Sequence, residues 1–196
     1  MNEEYWKSFY NNSLSLEESS NFSNFVLSHL QPGESLLDLG CGNGKDTVHF
    51  LKNNIKAVGV DLNTDLEGKD FITGSVLENI KISDNYYMRF FVHAVEESYL
   101  DQIIDKISDI APGGSKIFIE TRSTTGVIER KKHLFSFTSG VGEEHTRMLY
   151  SLEYLSKKIE KKFKVLYESE EYGYSPFAGE DPCLIRIIAK KEGENR

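Results

Sequence analysis

One run constrains this chain more than any other: Leu36-Leu37-Asp38-Leu39-Gly40-Cys41-Gly42-Asn43-Gly44. A short apolar strand, Ser35 to Leu39, enters alternating glycines, and a helical pattern follows from about Asp46 to Lys52. Glycine is needed where the backbone turns sharply and approaches a ligand closely. A second strand, Lys56 to Asp61, ends on an acid 21 positions after Gly40, where a carboxylate can accept hydrogen bonds from ribose hydroxyls. Strand, glycine loop, helix and strand-terminal acid require a βαβ unit and point to an adenosine-containing ligand. A tight turn with no ligand is the alternative for a bare glycine repeat, and Asp38 and Asp61 argue against it.

The rest of the chain repeats this alternation. Helical spacing covers residues 16–30 (Phe22, Phe25, Val26, Leu30), until Pro32-Gly33 stops it. A weaker strand is expected at 69–73, a fourth at Asn85 to Phe91, a helix at 96–110 and, after Pro112-Gly113-Gly114, a fifth strand at Lys116 to Glu120. Residues 146–162 read as a helix with Leu152, Leu155, Ile159 and Phe163 as its stripe and Glu153–Lys157 as a favourable pair one turn apart. Two strands near 164–170 and 183–190 lack a helix between them and are expected as an antiparallel edge pair. Alternating strands and helices imply a mostly parallel sheet covered on both faces. A length of 196 residues suits one such domain, 1–196.

Composition excludes several classes of partner. A net charge of −8 repels phosphodiester backbones, so nucleic acid is not the expected substrate. No apolar run is long enough to cross a bilayer, and the acidic start Met1-Asn2-Glu3-Glu4 is unlike a secretory signal. Cys41 and Cys183 have no metal-ligand spacing and form no disulfide framework, which fits a reducing cytoplasm and no metal site.

The ligand can be narrowed. A dinucleotide fingerprint places its third glycine where this chain has Lys45, and Asp38 would oppose a pyrophosphate while suiting a cationic amino group. The segment resembles motif I of the class I S-adenosylmethionine-dependent methyltransferases, with Asp61 matching their ribose-binding acid and Pro112-Gly113-Gly114 the turn before their fifth strand. The resemblance spans roughly residues 22–122. It implies a Rossmann-like, doubly wound seven-stranded sheet of order 3-2-1-4-5-7-6 with strand seven antiparallel. It also implies S-adenosylmethionine as cofactor, held by Gly40, Gly42, Gly44 and Asp61, with Asp38, Cys41, Asn43, Asp46 and Leu62 completing the candidate surface. The family often has an acid after strand three for the adenine amino group; here Ser75 or the Val76 amide stands in that place.

The acceptor side lies at the carboxyl ends of strands four and five. There the chain has Arg89 and His93, then Glu120 and Arg122. A neutral histidine suits proton removal from a hydroxyl near pH 7, so His93 is the candidate base, with a structural histidine as the alternative. Arg89 and Arg122 could clamp an anionic group or simply pair with Glu120. The long polar stretch 121–146 reads as a substrate loop ending in His145 and Arg147, and the aromatic loop Tyr172 to Asp181, with Glu180, can fold back toward the same pocket. Tyr5, Trp6, Phe9 and Tyr10 in residues 1–20 form a candidate aromatic lid, with a simple cap on the core as the alternative. The series Tyr87, Arg89, Phe90, His93, Glu120, Arg122, His145, Arg147, Glu180, Asp181 and Arg186 is similar to small bacterial methyltransferases of capsule and surface-glycan clusters, and more distantly to tellurite-resistance and thiopurine methyltransferases. That resemblance implies a small-molecule acceptor methylated at oxygen. A thiol or metalloid acceptor and a non-catalytic or NAD-dependent module are the competing readings, and the oligomeric state stays open.

Overall fold

The computed structural model describes residues 18–64, 66–126, 134–138, 144–176 and 179–193, with backbone alone for 134–138, 144 and 145. Helix α1 (Asn21–Leu27) starts where the Ser20 hydroxyl caps the Ser23 amide, shorter than the predicted 16–30. Then come β1 (Ser35–Leu39), α2 (Lys45–Lys52), β2 (Lys56–Asp61), β3 (Phe71–Thr73), the single turn α3 (Val76–Asn79) and β4 (Asn85–Arg89). A 3-10 turn at Val92–Ala94 leads into α4 (Glu97–Ile110), followed by β5 (Lys116–Arg122). A hairpin, β6 (Leu134–Thr138) with β7 (Glu144–Met148), precedes α5 (Leu152–Glu160), β8 (Lys164–Glu171) and β9 (Leu184–Lys190).

Seven strands form one sheet of order β3-β2-β1-β4-β5-β9-β8. Numbering only the sheet's own strands, this is the predicted 3-2-1-4-5-7-6. The first five are parallel, and β9 runs antiparallel to both β5 and β8. Alternate residues face opposite layers. Leu37, Leu39, Tyr86, Met88, Ile117 and Ile119 pack with Leu100, Ile103, Ile104 and Ile107 of α4. Leu36, Tyr87, Phe118 and Ile188 pack with Phe22 and Val26 of α1 and Phe50 of α2. Burying each large apolar side chain is worth about 1.5–3 kcal/mol, so each layer locks its helices to the sheet.

Three predicted boundaries move. The fourth strand stops at Arg89 because Phe90 has a left-handed backbone, φ 56°, which breaks the extension. The fifth continues to Arg122, paired with β9 to its end. The helix predicted at 146–162 starts only at Leu152, where Ser151 caps the Tyr154 amide, and Glu144–Met148 is strand β7. The stretch 121–146, expected as an open loop, thus carries a hairpin. Among the described residues, no helix is long and apolar enough to cross a membrane.

Candidate functional site

Strand β1 lies between β2 and β4, so the connections leave its carboxyl end in opposite directions and a crevice opens there. The glycine loop fills that position. Gly40 has φ 80°, and a Cβ on it would sit 2.4 Å from Cδ2 of Phe91. Gly44, φ 71°, caps α2, and a Cβ there would sit 2.3 Å from Cδ1 of Leu66. The sequence therefore needs glycine at both points for conformation and for space.

The loop is tied to Asp61, and Asp38 is held from the helix that follows the loop. The Gly42 amide donates to Oδ2 of Asp61 at 2.9 Å, and the Asn63 amide donates to Oδ1 at 2.9 Å. Leu62, between them, is half-buried. Asp38 is 2% exposed and its Oδ2 accepts the Thr47 hydroxyl at 2.6 Å. Burial pushes its pKa up to about 8; the Thr47 hydrogen bond opposes the rise, and the charges of Asp46 and Asp61 add to it. Burial thus disfavours the ionised form that the sequence reading pairs with a cationic amino group. Cys41 is packed against Gly59, and its thiol is held protonated by burial. Asn43 is half-buried in the loop.

Asp46 stands apart from the other cofactor candidates. Its carboxylate accepts the Ser20 amide and hydroxyl, each at 2.8 Å, and the Tyr87 hydroxyl at 2.7 Å. It thereby fastens the segment before α1 to the first turn of α2. After β3, the Tyr99 hydroxyl accepts the Leu77 amide at 3.1 Å and lies 3.1 Å from Ser75 Oγ. Val76 is buried beside it.

On the acceptor side the β-register decides which arginine does what. Arg89 is opposite Glu120, and Glu120 is opposite Arg186. Arg89 Nε donates to Glu120 Oε1 at 3.0 Å, and Arg186 Nε donates to Oε2 at 2.8 Å. Glu120 is 1% exposed, so this is a buried Arg–Glu–Arg row. Arg89 Nη2 also donates to Ser175 Oγ at 3.1 Å, and Arg186 lies 3.8 Å from the Tyr174 ring centroid and 5.2 Å from that of Phe22. The aromatic loop after β8 thus folds back onto the ends of β4 and β5.

His93 is 2% exposed. The Arg122 amide donates to its Nδ1 at 3.2 Å, and Thr121 Oγ1 lies 3.0 Å from the same atom. Nδ1 is therefore an acceptor, and the neutral ring carries its proton on Nε2. Arg122 itself points elsewhere: Nη2 donates to Glu180 Oε2 at 3.1 Å, and the side chain lines a cleft of about 210 Å³ with Tyr172, Asp181, Cys183, Leu149 and Gly126. Arg147 is half-buried on β7 opposite Phe135; His145 pairs with Phe137 in the same hairpin. Tyr10 and the rest of the aromatic cluster lie outside the described residues.

The structure adds roles that the sequence does not assign. Thr47 contacts Asp38 and Tyr99 organises Ser75. Arg186, Tyr174 and Ser175 complete the charged row. Phe90 sits between the two halves of the site, its amide donating to the Glu120 carbonyl at 2.8 Å, with Arg89 4.3 Å from its ring centroid and the His93 ring at 5.5 Å. A left-handed non-glycine residue costs about 1–3 kcal/mol and clusters at functional sites. Nothing in the local sequence signals it. Among the described residues no group of three or more His, Cys, Asp or Glu is arranged to hold a metal ion.

No protein-family model and no curated protein sequence matches this chain. Solved structures do. A methyltransferase dependent on S-adenosylmethionine from Methanosarcina mazei is 17% identical, with 87% of this chain and 98% of that chain covered at a TM-score of 0.72. A 1,6-didemethyltoxoflavin N1-methyltransferase from Burkholderia thailandensis, with bound 1,6-didemethyltoxoflavin and S-adenosylhomocysteine, is 16% identical over 87% of this chain and 76% of that chain at 0.66. The 4+2 cyclase SpnF is 13% identical over 97% and 94% at 0.70. The fold is that of the Rossmann-like methyltransferases, and the cyclase shows that this fold also hosts other activities.

Proposed function

We propose that this chain is a methyltransferase that uses S-adenosylmethionine to methylate a small acceptor whose nucleophile is already anionic, with oxygen as the methylated atom. The observation that carries the reading is the junction of Gly42 with Asp61 beside buried Asp38, at the carboxyl end of the central strand. These residues suit the donor. The Gly40–Gly44 backbone would let it approach closely, Asp61 has oxygen lone pairs left for ribose hydroxyls, and Leu62 would pack beside them. Asp38 faces the cationic amino group, and Ser75 with the Val76 amide reads the base. The donor supplies a methyl group on a sulfonium, so the protein's task is chiefly alignment.

Arg122 supports the anionic acceptor, since it lines the cleft and its exposed partner Glu180 is displaceable. The proton on His93 Nε2 supports it too. With Nδ1 accepting the Arg122 amide, that tautomer does not take a proton, and an anionic nucleophile needs no base. Arg89 and Glu120 build the wall rather than touch the acceptor, and Tyr172 supplies an aromatic side to the cleft. An anionic sugar or sugar acid of surface-glycan assembly fits this chemistry. A thiolate or metalloid oxyanion shares it, and an acceptor screen separates the two. Calorimetry of the full chain with S-adenosylhomocysteine and with NAD tests the donor. Binding of the former is expected; binding of NAD alone overturns the reading.

A further inference from the structure

We propose that Thr47 is a positioning residue for the donor site, its hydroxyl holding one carboxyl oxygen of Asp38 so that the acid can ionise against a cationic amino group. The inference rests on the S-adenosylmethionine reading above. Thr47 is fully buried in the first turn of α2, and Asp38 lies nine positions earlier at the end of β1. A buried hydroxyl needs a partner, and the 2.6 Å bond to Asp38 Oδ2 supplies it. The opposite wall is shaped to fit. A Cβ on Gly59 of β2 would lie 2.8 Å from Thr47 Oγ1 and 2.7 Å from Cys41 Sγ, so β2 gives up a side chain to make room for the hydroxyl.

The charged and titratable groups around Asp38 leave this task to Thr47. From α2 comes Asp46, engaged by Ser20 and Tyr87. From the end of β2 comes Asp61, which accepts Gly42 and Asn63. From β4 come Tyr87, which donates to Asp46, and Arg89, which donates to Glu120 and Ser175. The loop adds the Cys41 thiol. Two of these groups, Asp46 and Asp61, oppose ionisation of Asp38 and Arg89 favours it from within its own ion pair. A ligand ammonium binds the ionised acid, so binding below the free acid's pKa releases a proton and weakens about tenfold per pH unit. Removing the hydroxyl deprives the ionised form of its donor and moves that pH dependence upward.

The test is calorimetry on the full chain between pH 6 and 9 with two probes. S-adenosylhomocysteine carries the amino group; 5′-methylthioadenosine has the adenosine part without it. Thr47→Val keeps the shape and removes the hydroxyl. It is expected to weaken S-adenosylhomocysteine about tenfold at pH 7. The rising limb of its affinity is expected to move up by about one pH unit. Binding of 5′-methylthioadenosine should be the same in both proteins and flat with pH. Thr47→Ser should restore the wild-type profile. An unchanged profile in Thr47→Val, an equal loss for both probes, or a Thr47→Ser that behaves like the valine variant overturns the inference while leaving the donor reading intact. A wild-type protein that binds neither probe overturns both.

Discussion

The backbone amide of Gly42 donates to Oδ2 of Asp61 at 2.9 Å, so the glycine loop and the end of β2 are joined before any ligand arrives. Preorganisation of this kind reduces the ordering cost of binding. Asp61→Ala is expected to weaken both S-adenosylhomocysteine and 5′-methylthioadenosine about 10- to 100-fold, since a hydrogen bond to a charged group is worth about 1.5–3 kcal/mol. It should also speed hydrogen exchange at the Gly42 amide in the free protein. If exchange at Gly42 is unchanged in the variant, the bond is not what orders the loop.

The parts of this architecture written locally were legible in the sequence. β1 and β5 are buried on both faces and read as apolar runs, and the glycine loop is a contiguous signal. The charged row was only half legible. Arg89 and Glu120 stood out by position, but Arg186 enters through the antiparallel register of β9, a long-range fact no window contains. Phe90 escaped because a left-handed phenylalanine is imposed by tertiary context. The start of α5 was misplaced because Leu152, Leu155, Ile159 and Phe163 define a helical stripe without marking where it begins, which the Ser151 cap decides. Half of the β6–β7 hairpin was announced: β6 alternates as Phe135-Ser136-Phe137-Thr138, whereas β7, Glu144 to Met148, is mostly polar and gives its partner no matching period.

Glu120 is 1% exposed between two arginine side chains that are themselves 15% and 8% exposed. Removing the shared carboxylate leaves two cations in a low-dielectric wall. Glu120→Gln is therefore expected to lower stability by about 3–5 kcal/mol, the cost of breaking a buried pair from one side. Urea denaturation monitored by Tyr and Trp fluorescence measures it. A loss below about 1 kcal/mol would mean that water reaches the row and that it is not a structural wall.

Asp38 links stability to pH with a definite sign. Its folded-state pKa is raised from 3.8 to about 8 by burial, so between those values the folded chain holds a proton that the unfolded chain releases. The contribution is fully present below the unfolded pKa and declines as pH rises, levelling off once pH passes the folded value. Asp38→Asn cannot ionise and lacks this decline. Its stability relative to wild type is expected to grow from pH 5 to pH 8 by about 3–4 kcal/mol, at about 1.4 kcal/mol per pH unit between the two pKa values. The same variant should lose affinity for S-adenosylhomocysteine and keep 5′-methylthioadenosine. A stability difference that stays constant with pH would show that Asp38 is already ionised in the free protein.

Arg122 and Glu180 present the opposite case to Glu120. Their 3.1 Å pair joins side chains 21% and 62% exposed, and solvent screens it. Glu180→Gln is expected to change stability by less than about 1 kcal/mol. Its effect should fall on the acceptor instead, because the pair occupies the guanidinium that an incoming anion would use. Once an acceptor is in hand, Glu180→Gln is expected to lower its KM and leave unchanged the inhibition constant of its neutral amide analogue, used as a competitive inhibitor. Arg122→Gln should raise KM for the anion about tenfold or more, as loss of a charge-assisted hydrogen bond does. Both effects should shrink with added salt, since the groups are partly exposed. Equal changes in the anion's KM and the amide's inhibition constant would place the acceptor's charge outside this cleft and return Arg122 to a purely structural role.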